Sequence, residues 1–318
     1  MDAVLLCQRP GDLRCECGTA RRPRDGIRRA LCSALMSAEP EQVAVALVAG
    51  AMLRAELFDP SGGDGPFPGV LILHESFGLN GDIRRIARRF ADASYVAIAR
   101  DLYSHGARLV CLTRVIVDML RGGVSREIAD ILAVREALAE RPEVNPEQIG
   151  VYGLSFGSFA ATVVGGAEPR YRAVAAQLTL FEPGFHHIFE EASPTFKQRF
   201  MYMSGYTDEA AFEPFRKTLT WEGYAEKIRA PYLCVAGECD ELSPMEYTEK
   251  VMKTVGGPKR LVVYAEARHA LGAAASATLG PNAWILSADW MLAALSGKTF
   301  PSERWFVDPT GRITKTAL

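Results

Sequence analysis

The pentapeptide Gly153-Leu154-Ser155-Phe156-Gly157 constrains this chain more than any other stretch. A short apolar run, Gln148 to Tyr152, leads into it, and a run of small residues, Ser158 to Gly166, follows. The pattern predicts a strand, a sharp turn and a helix, with a serine at the apex. Such a turn holds the serine in a strained backbone conformation. Glycines on either side keep side chains from striking the adjoining strand and helix. The serine oxygen then stands clear of the backbone, and the Phe156 N–H faces the same space at a helix N-terminus. Pentapeptides of this form also arise in ordinary glycine-rich turns, so the flanking strand and helix carry the reading.

A serine hydroxyl is a weak nucleophile near neutrality and needs a histidine base held by a carboxylate. In sheets that carry this turn, the acid and then the histidine follow the serine along the chain. Beyond residue 187 there is a single histidine, His269, in the loop after the apolar run Leu261 to Tyr264. Tyr232 to Ala236 reads as another strand and ends in Gly237-Glu238-Cys239-Asp240-Glu241. Loops after parallel strands gather the functional side chains of such a sheet. Asp240 is the leading candidate acid. Glu238, nearer the strand, and Glu241, opening the next segment, are the alternatives, as is a solvated acidic turn beside a loop histidine.

A developing oxyanion needs N–H donors aimed in advance. The Phe156 amide is one. The other is expected after the third strand, Gly69 to Leu73, which runs into His74-Glu75-Ser76-Phe77-Gly78-Leu79-Asn80; Ser76 or Phe77 would supply it. The helix that follows puts Ile83, Ile86, Ala87 and Phe90 on one face, and Arg84, Arg85, Arg88 and Arg89 read as a solvated cluster.

With these residues in place the chain resembles the dienelactone hydrolase family of α/β-hydrolases. The run from Leu71 to Gly106 carries the resemblance, together with the serine turn, Gly237-Glu238-x-Asp240 and Ala267-x-His269. It spans roughly residues 45–180 and 229–275. The resemblance implies an α/β fold with a mostly parallel central sheet and helices on both faces. It also implies that Ser76, the residue after Glu75, supplies the second amide, and that Glu75 contacts the resting nucleophile. A family arginine that binds a substrate carboxylate aligns loosely with Arg108.

Two departures stand out. The family's enzymes carry cysteine at the turn, usually followed by x-Gly-Gly, whereas this chain has Ser155 and continues Gly157-Ser158. Serine is the harder nucleophile and suits ordinary esters. Residues 181–229 also intervene between the sixth and seventh strands. Their tail, Leu219 to Ile228, is similar to a different branch, the bacterial esterase-like and carbon–carbon-cleaving hydrolases with a helical cap.

This insertion is rich in aromatic residues and methionine. It reads as a cap shaping an apolar acyl pocket, or as a helical subdomain burying its own core, or as a homodimer contact. His186 and His187 lie in it without a zinc-ligand spacing around them, so cap or surface histidines are expected and no metal. His74 and His105 are candidate pocket residues near strand ends.

The chain has 318 residues, is 48% apolar and carries a net charge of −2. It can bury a large single core, and it lacks the basic surface of a nucleic-acid binder. No apolar stretch of membrane-spanning length interrupts it, so no membrane association is expected. Residues 1–40 differ from the rest, with four of the seven cysteines (Cys7, Cys15, Cys17 and Cys32). The first 35 residues also hold seven arginines against four acidic residues. They match neither a zinc knuckle nor a secretion signal, and read as a disordered extension, with Met36 a candidate functional start. Cys111, Cys234 and Cys239 are expected reduced and buried or pocket-side, and the compartment cytoplasmic.

The remaining elements are two edge strands (Val43 to Val48 and Met52 to Phe58), strands at Tyr95 to Ala99 and Arg172 to Leu178, and three helices. The helices are Ser125 to Glu140, Met245 to Thr254 and Asn282 to Leu295. In the last of these Ala288, Met291, Leu292 and Leu295 form a stripe. Residues 297–318 read as a polar tail. The whole predicts a cytoplasmic α/β-hydrolase domain over 41–318 acting, without metal or organic cofactor, on a small-molecule ester, lactone or thioester. Carbon–carbon cleavage or acyl transfer by the same Ser155, His269 and Asp240 is the alternative chemistry, and a non-catalytic binding fold the alternative class.

Overall fold

The computed structural model of the chain describes residues 39–47, 52–75, 78–101, 125–192, 197–198, 201 and 206–318. The extension expected over 1–40 therefore falls outside them except for Glu39 and Pro40. Cys111, His105, Arg108, Ser76 and Phe77 also lie outside the described residues.

The strands are β1 (Glu41–Ala46), β2 (Met52–Phe58), β3 (Phe67–Leu73), β4 (Val96–Arg100), β5 (Val144–Leu154), β6 (Ala173–Gln177), β7 (Tyr232–Gly237), β8 (Lys259–Tyr264), β9 (Glu303–Val307) and β10 (Ile313–Ala317). They form one sheet in the order β1-β2-β4-β3-β5-β6-β7-β8-β9-β10. Pairing is parallel from β4 across to β9, and antiparallel at β1–β2, β2–β4 and β9–β10. The helices are α1 (Gly81–Asp92), α2 (Ser125–Ala139), α3 (Phe156–Ala167), α4 (Glu209–Arg216), α5 (Met245–Thr254), α6 (Ala275–Leu279) and α7 (Ala283–Leu295).

The period-2 alternation of strand side chains divides the core in two. Leu71, Leu73, Val151, Val174, Ala176, Cys234, Leu261 and Val263 face α2, α3 and α5. Their strand neighbours Val70, Ile72, Tyr152, Leu154, Ala175, Val235 and Val262 face α1 and α7. Strands buried on both faces are apolar almost throughout, as parallel strands between helix layers must be. Asn80 caps α1 by accepting from the Asp82 and Ile83 amides, and Asn282 caps α7 in the same way through Trp284 and Ile285. These caps fix where the two helices of that layer begin.

Four expectations are corrected. β2 is not an edge strand, because β4 pairs along its other side. Residues 297–318 are not a polar tail: β9 adds to β8 in parallel, and β10 folds back on β9. The alternation Trp305, Phe306, Val307 and the Asp308-Pro309-Thr310-Gly311 turn, with Gly311 at φ 82°, provide the strand and the reversal. Leu292 points outward, 37% exposed, while Ala288, Met291 and Leu295 of its stripe are buried. The arginines of α1 are also more than a solvated face. Arg84 makes two hydrogen bonds to the buried Glu56 of β2, and the Arg88 guanidinium lies over Phe58.

Between β6 and β7 the chain leaves the sheet. A 3₁₀ turn (Pro183–Phe185), a π-helical turn (His187–Ala192), α4 and a second 3₁₀ turn (Ala225–Lys227) are described there. Phe185, Phe189, Phe212, Phe215, Trp221 and Met201 are buried in the same cluster as Phe156 and Phe159 of α3. The rings contact in series, Phe156 to Phe185, Phe185 to Phe189, Phe189 to Phe212 and Phe212 to Phe215, with centroids 5.4–6.1 Å apart. The insertion thus buries an aromatic core of its own, continuous with the one under α3.

Candidate active site

Ser155 sits between β5 and α3 at φ 53° and ψ −117°, a conformation few non-glycine residues adopt. The local sequence makes it attainable. A β-carbon at Gly153 would collide with the Gly157 carbonyl, and one at Gly157 would collide with the Leu73 carbonyl of β3. Only glycines let strand, turn and helix approach so closely. The Ser155 N–H donates to the Gln177 carbonyl at the end of β6. The Gln177 side chain, fully buried, accepts from Tyr152 Oη and Ser287 Oγ. A polar residue closing the apolar run Ala173-Val174-Ala175-Ala176 is the signal that could have identified this brace.

From Ser155 a chain of hydrogen bonds runs back through two loops. Ser155 Oγ is 2.9 Å from His269 Nε2, and His269 Nδ1 is 2.8 Å from Asp240 Oδ2. The other Asp240 oxygen accepts the Leu242 and Ser243 amides. The Asp240 side chain has no exposed surface and that of His269 is 12% exposed, so the chain runs from the interior toward solvent. With the carboxylate accepting at Nδ1, the neutral ring carries its proton there and presents Nε2 as the acceptor for the serine hydroxyl.

The alternative acids occupy other places. Glu238 Oε2 accepts the Glu266 amide, and Glu241 Oε2 accepts the His269 amide. Both brace the histidine loop through its backbone. Burial pushes the Glu241 carboxyl up, but hydrogen bonds from the His269 amide and its own amide, with the Arg268 charge nearby, outweigh it and hold the group below its usual range.

The Phe156 N–H is the first amide of α3, directly after Ser155 in the chain and among the helix N–H groups without an intrahelical acceptor. Glu75 lies two residues beyond the end of β3 and accepts from Asn80 Nδ2 at 2.7 Å. His74 is fully buried, with its Nδ1 2.5 Å from the Glu75 carbonyl, so it offers no surface to an open pocket. Burial, with a contribution from the Arg100 charge, lowers its pKa to about 4 against the support of that hydrogen bond. Cys234 is buried and Cys239 exposed on the acid turn, both as free thiols. His187 pairs with the buried Glu182 within the insertion, and among the described residues no group of three potential metal ligands gathers. No helix among them is long and apolar enough to cross a membrane.

The chain is similar to known proteins in sequence and in fold. The Esterase FrsA of Yersinia pestis (strain Pestoides F) is 28% identical over 228 residues, 67% of this chain and 51% of the relative. The Uncharacterized peptidase YuxL of Bacillus subtilis (strain 168) is 26% identical over 165 residues, 49% of this chain and 24% of the relative. The chain thus spans about half or less of the length of these curated relatives. The crystal structure of the 2,6-dihydroxy-pseudo-oxynicotine hydrolase matches at TM-score 0.68, with 20% identity, over 86% of this chain and 74% of its own. That likeness is one of fold, the α/β-hydrolase fold, with a mostly parallel sheet between two helix layers. Over residues 53–283, from β2 to the start of α7, the sequence matches the family model of the dienelactone hydrolases, and the chain belongs to the dienelactone hydrolase family.

Proposed function

We propose that this chain is a serine hydrolase that cleaves a carboxylic ester, lactone or thioester of a small to medium apolar acyl group. One observation carries the reading: Ser155, His269 and Asp240 are joined in series at 2.9 and 2.8 Å, with the serine on a strained turn at a helix N-terminus. Membership of the dienelactone hydrolase family and the likeness to a Yersinia esterase support ester chemistry.

In this reading Ser155 Oγ attacks the carbonyl carbon while its proton passes to His269 Nε2. Asp240 orients the ring and stabilises the imidazolium. The Phe156 amide binds the oxyanion, with a second amide expected from Ser76 and with Glu75 alongside, as the family pattern implies. Collapse of the tetrahedral intermediate expels the alcohol or thiol, which takes the proton from Nε2. Water, deprotonated by His269, then attacks the acyl-enzyme, and its collapse frees the carboxylic acid and Ser155. The insertion between β6 and β7 acts as a cap that excludes water from the site.

Fluorophosphonate labelling with peptide mapping tests the assignment without presupposing a substrate. Wild type is expected to form a single adduct on Ser155. Ser155→Ala should form none. His269→Ala should label at least about 10³-fold more slowly, and Asp240→Asn should lose about 10⁴-fold in kcat on a p-nitrophenyl ester. Well-folded wild type that stays unlabelled would sink the reading. Cleavage of a β-diketone, or transfer to an added alcohol, in place of ester hydrolysis would keep the site and reassign the reaction.

A further inference from the structure

We propose that Glu241 is a positioning residue for His269, a second carboxylate that holds the same histidine from its main-chain side. The inference rests on the reading of His269 as the general base. Asp240 and Glu241 are consecutive in the turn after β7, and they grip opposite ends of one residue. Asp240 Oδ2 accepts Nδ1–H of the ring, and Glu241 Oε2 accepts the main-chain N–H at 3.0 Å. The first bond sets the tautomer and the tilt of the ring. The second sets where the backbone from which the ring pivots stands relative to Ser155.

The histidine loop needs this support because it leaves the sheet at Tyr264 and follows an irregular path, with positive φ at Glu266 and Leu271. It is tied to the acid turn at successive points. The Glu266 amide donates to Glu238 Oε2 at 3.0 Å, the Cys239 amide to the Ala267 carbonyl at 2.8 Å, and the His269 amide to Glu241 Oε2. Of these ties, the one at Glu241 acts on the base itself. The charged groups around it are Asp240 and Glu238 on the turn, and Glu266 and Arg268 on the loop. Arg268 Nη2 lies 3.4 Å from Glu241 Oε1 and its side chain is 72% exposed, so that pair is screened by solvent.

Exposure also sets the size of the effect. The Glu241 side chain is 39% exposed and borders an open cleft of about 400 Å³ with Glu266, Arg268 and Leu271. Its contribution is therefore that of one charge-assisted hydrogen bond in partial contact with water, smaller than that of the fully buried Asp240.

The test is the rate of fluorophosphonate labelling as a function of reagent concentration, measured on the full chain. Ser155 Oγ displaces fluoride from phosphorus and its proton passes to His269, so the maximal rate reports the base. Glu241→Ala is expected to lower that maximal rate about tenfold, with the half-saturating concentration and thermal midpoint unchanged. Glu241→Gln, which keeps an oxygen acceptor, should return to within about threefold of wild type, and the shorter Glu241→Asp should fall with alanine. Arg268→Ala, which removes the ion pair and leaves the amide bond, should label at the wild-type rate. Wild-type rates in both Glu241→Ala and Glu241→Asp, or equal losses in Gln and Ala, would overturn the proposal. Failure of wild type itself to label would overturn the reading of His269 instead. If the alanine variant does not fold, the Gln and Asp pair still decides.

Discussion

Ser155 is held where a smaller residue would be more comfortable. Its positive φ costs of order 1 kcal/mol and persists because Gly153, Gly157 and the Gln177 carbonyl leave the turn no alternative. Ser155→Gly is therefore expected to raise unfolding free energy by about 1 kcal/mol in urea titrations while abolishing labelling. Gly157→Ala should do the opposite, costing about 3 kcal/mol or more, since its β-carbon meets β3 backbone that cannot yield. His74 carries a pH prediction. Its pKa is lowered to about 4 in the folded protein, below the ordinary histidine value, so between those values the unfolded chain binds the extra proton. Its stabilising contribution is complete above about pH 6.5 and is lost as pH falls toward 4, amounting to at most about 3 kcal/mol. Denaturant midpoints measured from pH 7 to pH 4.5 should fall more steeply in wild type than in His74→Asn.

Elements that announce themselves by alternation and caps were legible in the chain. α5 occupies the predicted Met245–Thr254, and β3, β5 and β7 begin or end within a few residues of their apolar runs. The C-terminal hairpin was not legible as such, because β10 (Ile-Thr-Lys-Thr-Ala) is almost entirely exposed and its sequence has no apolar face to read. Its stability comes from partners distant in sequence. Trp305 lies between the Arg260 guanidinium, 4.0 Å from its ring centre, and the Lys315 ammonium, 4.2 Å on. Arg260 is in turn paired to Glu303 at 2.6 Å. Trp305→Ala should cost about 2–3 kcal/mol in urea unfolding. Deleting the hairpin would leave β8 as an unprotected edge, and light scattering should then report aggregation.

For the molecule as a whole, the sheet supplies fixed points and the insertion is moored to them. Phe185 bridges Phe156 and Phe159 of α3 to Phe189 of the insertion. The Leu180 amide donates to Ser158 Oγ, and Trp221 Nε1 to the Phe181 carbonyl. Phe185→Ala should cost about 3–4 kcal/mol by leaving a cavity at that junction. Amide exchange would then rise over residues 183–192 and 206–216 while β5 to β8 keep their protection.

The order Ser155, Asp240, His269 and the glycines around the serine were readable because they are local: a turn that demands glycine, an acidic turn after an apolar run, a lone late histidine. The chain alone put Asp240 ahead of Glu238 and Glu241 but left all three open, since they share one turn of five residues. Folding chooses among them by direction. Asp240 turns inward to the imidazole, and its neighbours turn toward the histidine loop's amides. The same holds for Gln177, His74 and the hairpin, whose roles depend on partners brought together by the sheet. A pattern along the chain records spacing, whereas the direction of a side chain and the burial of its partner exist only once the strands are packed.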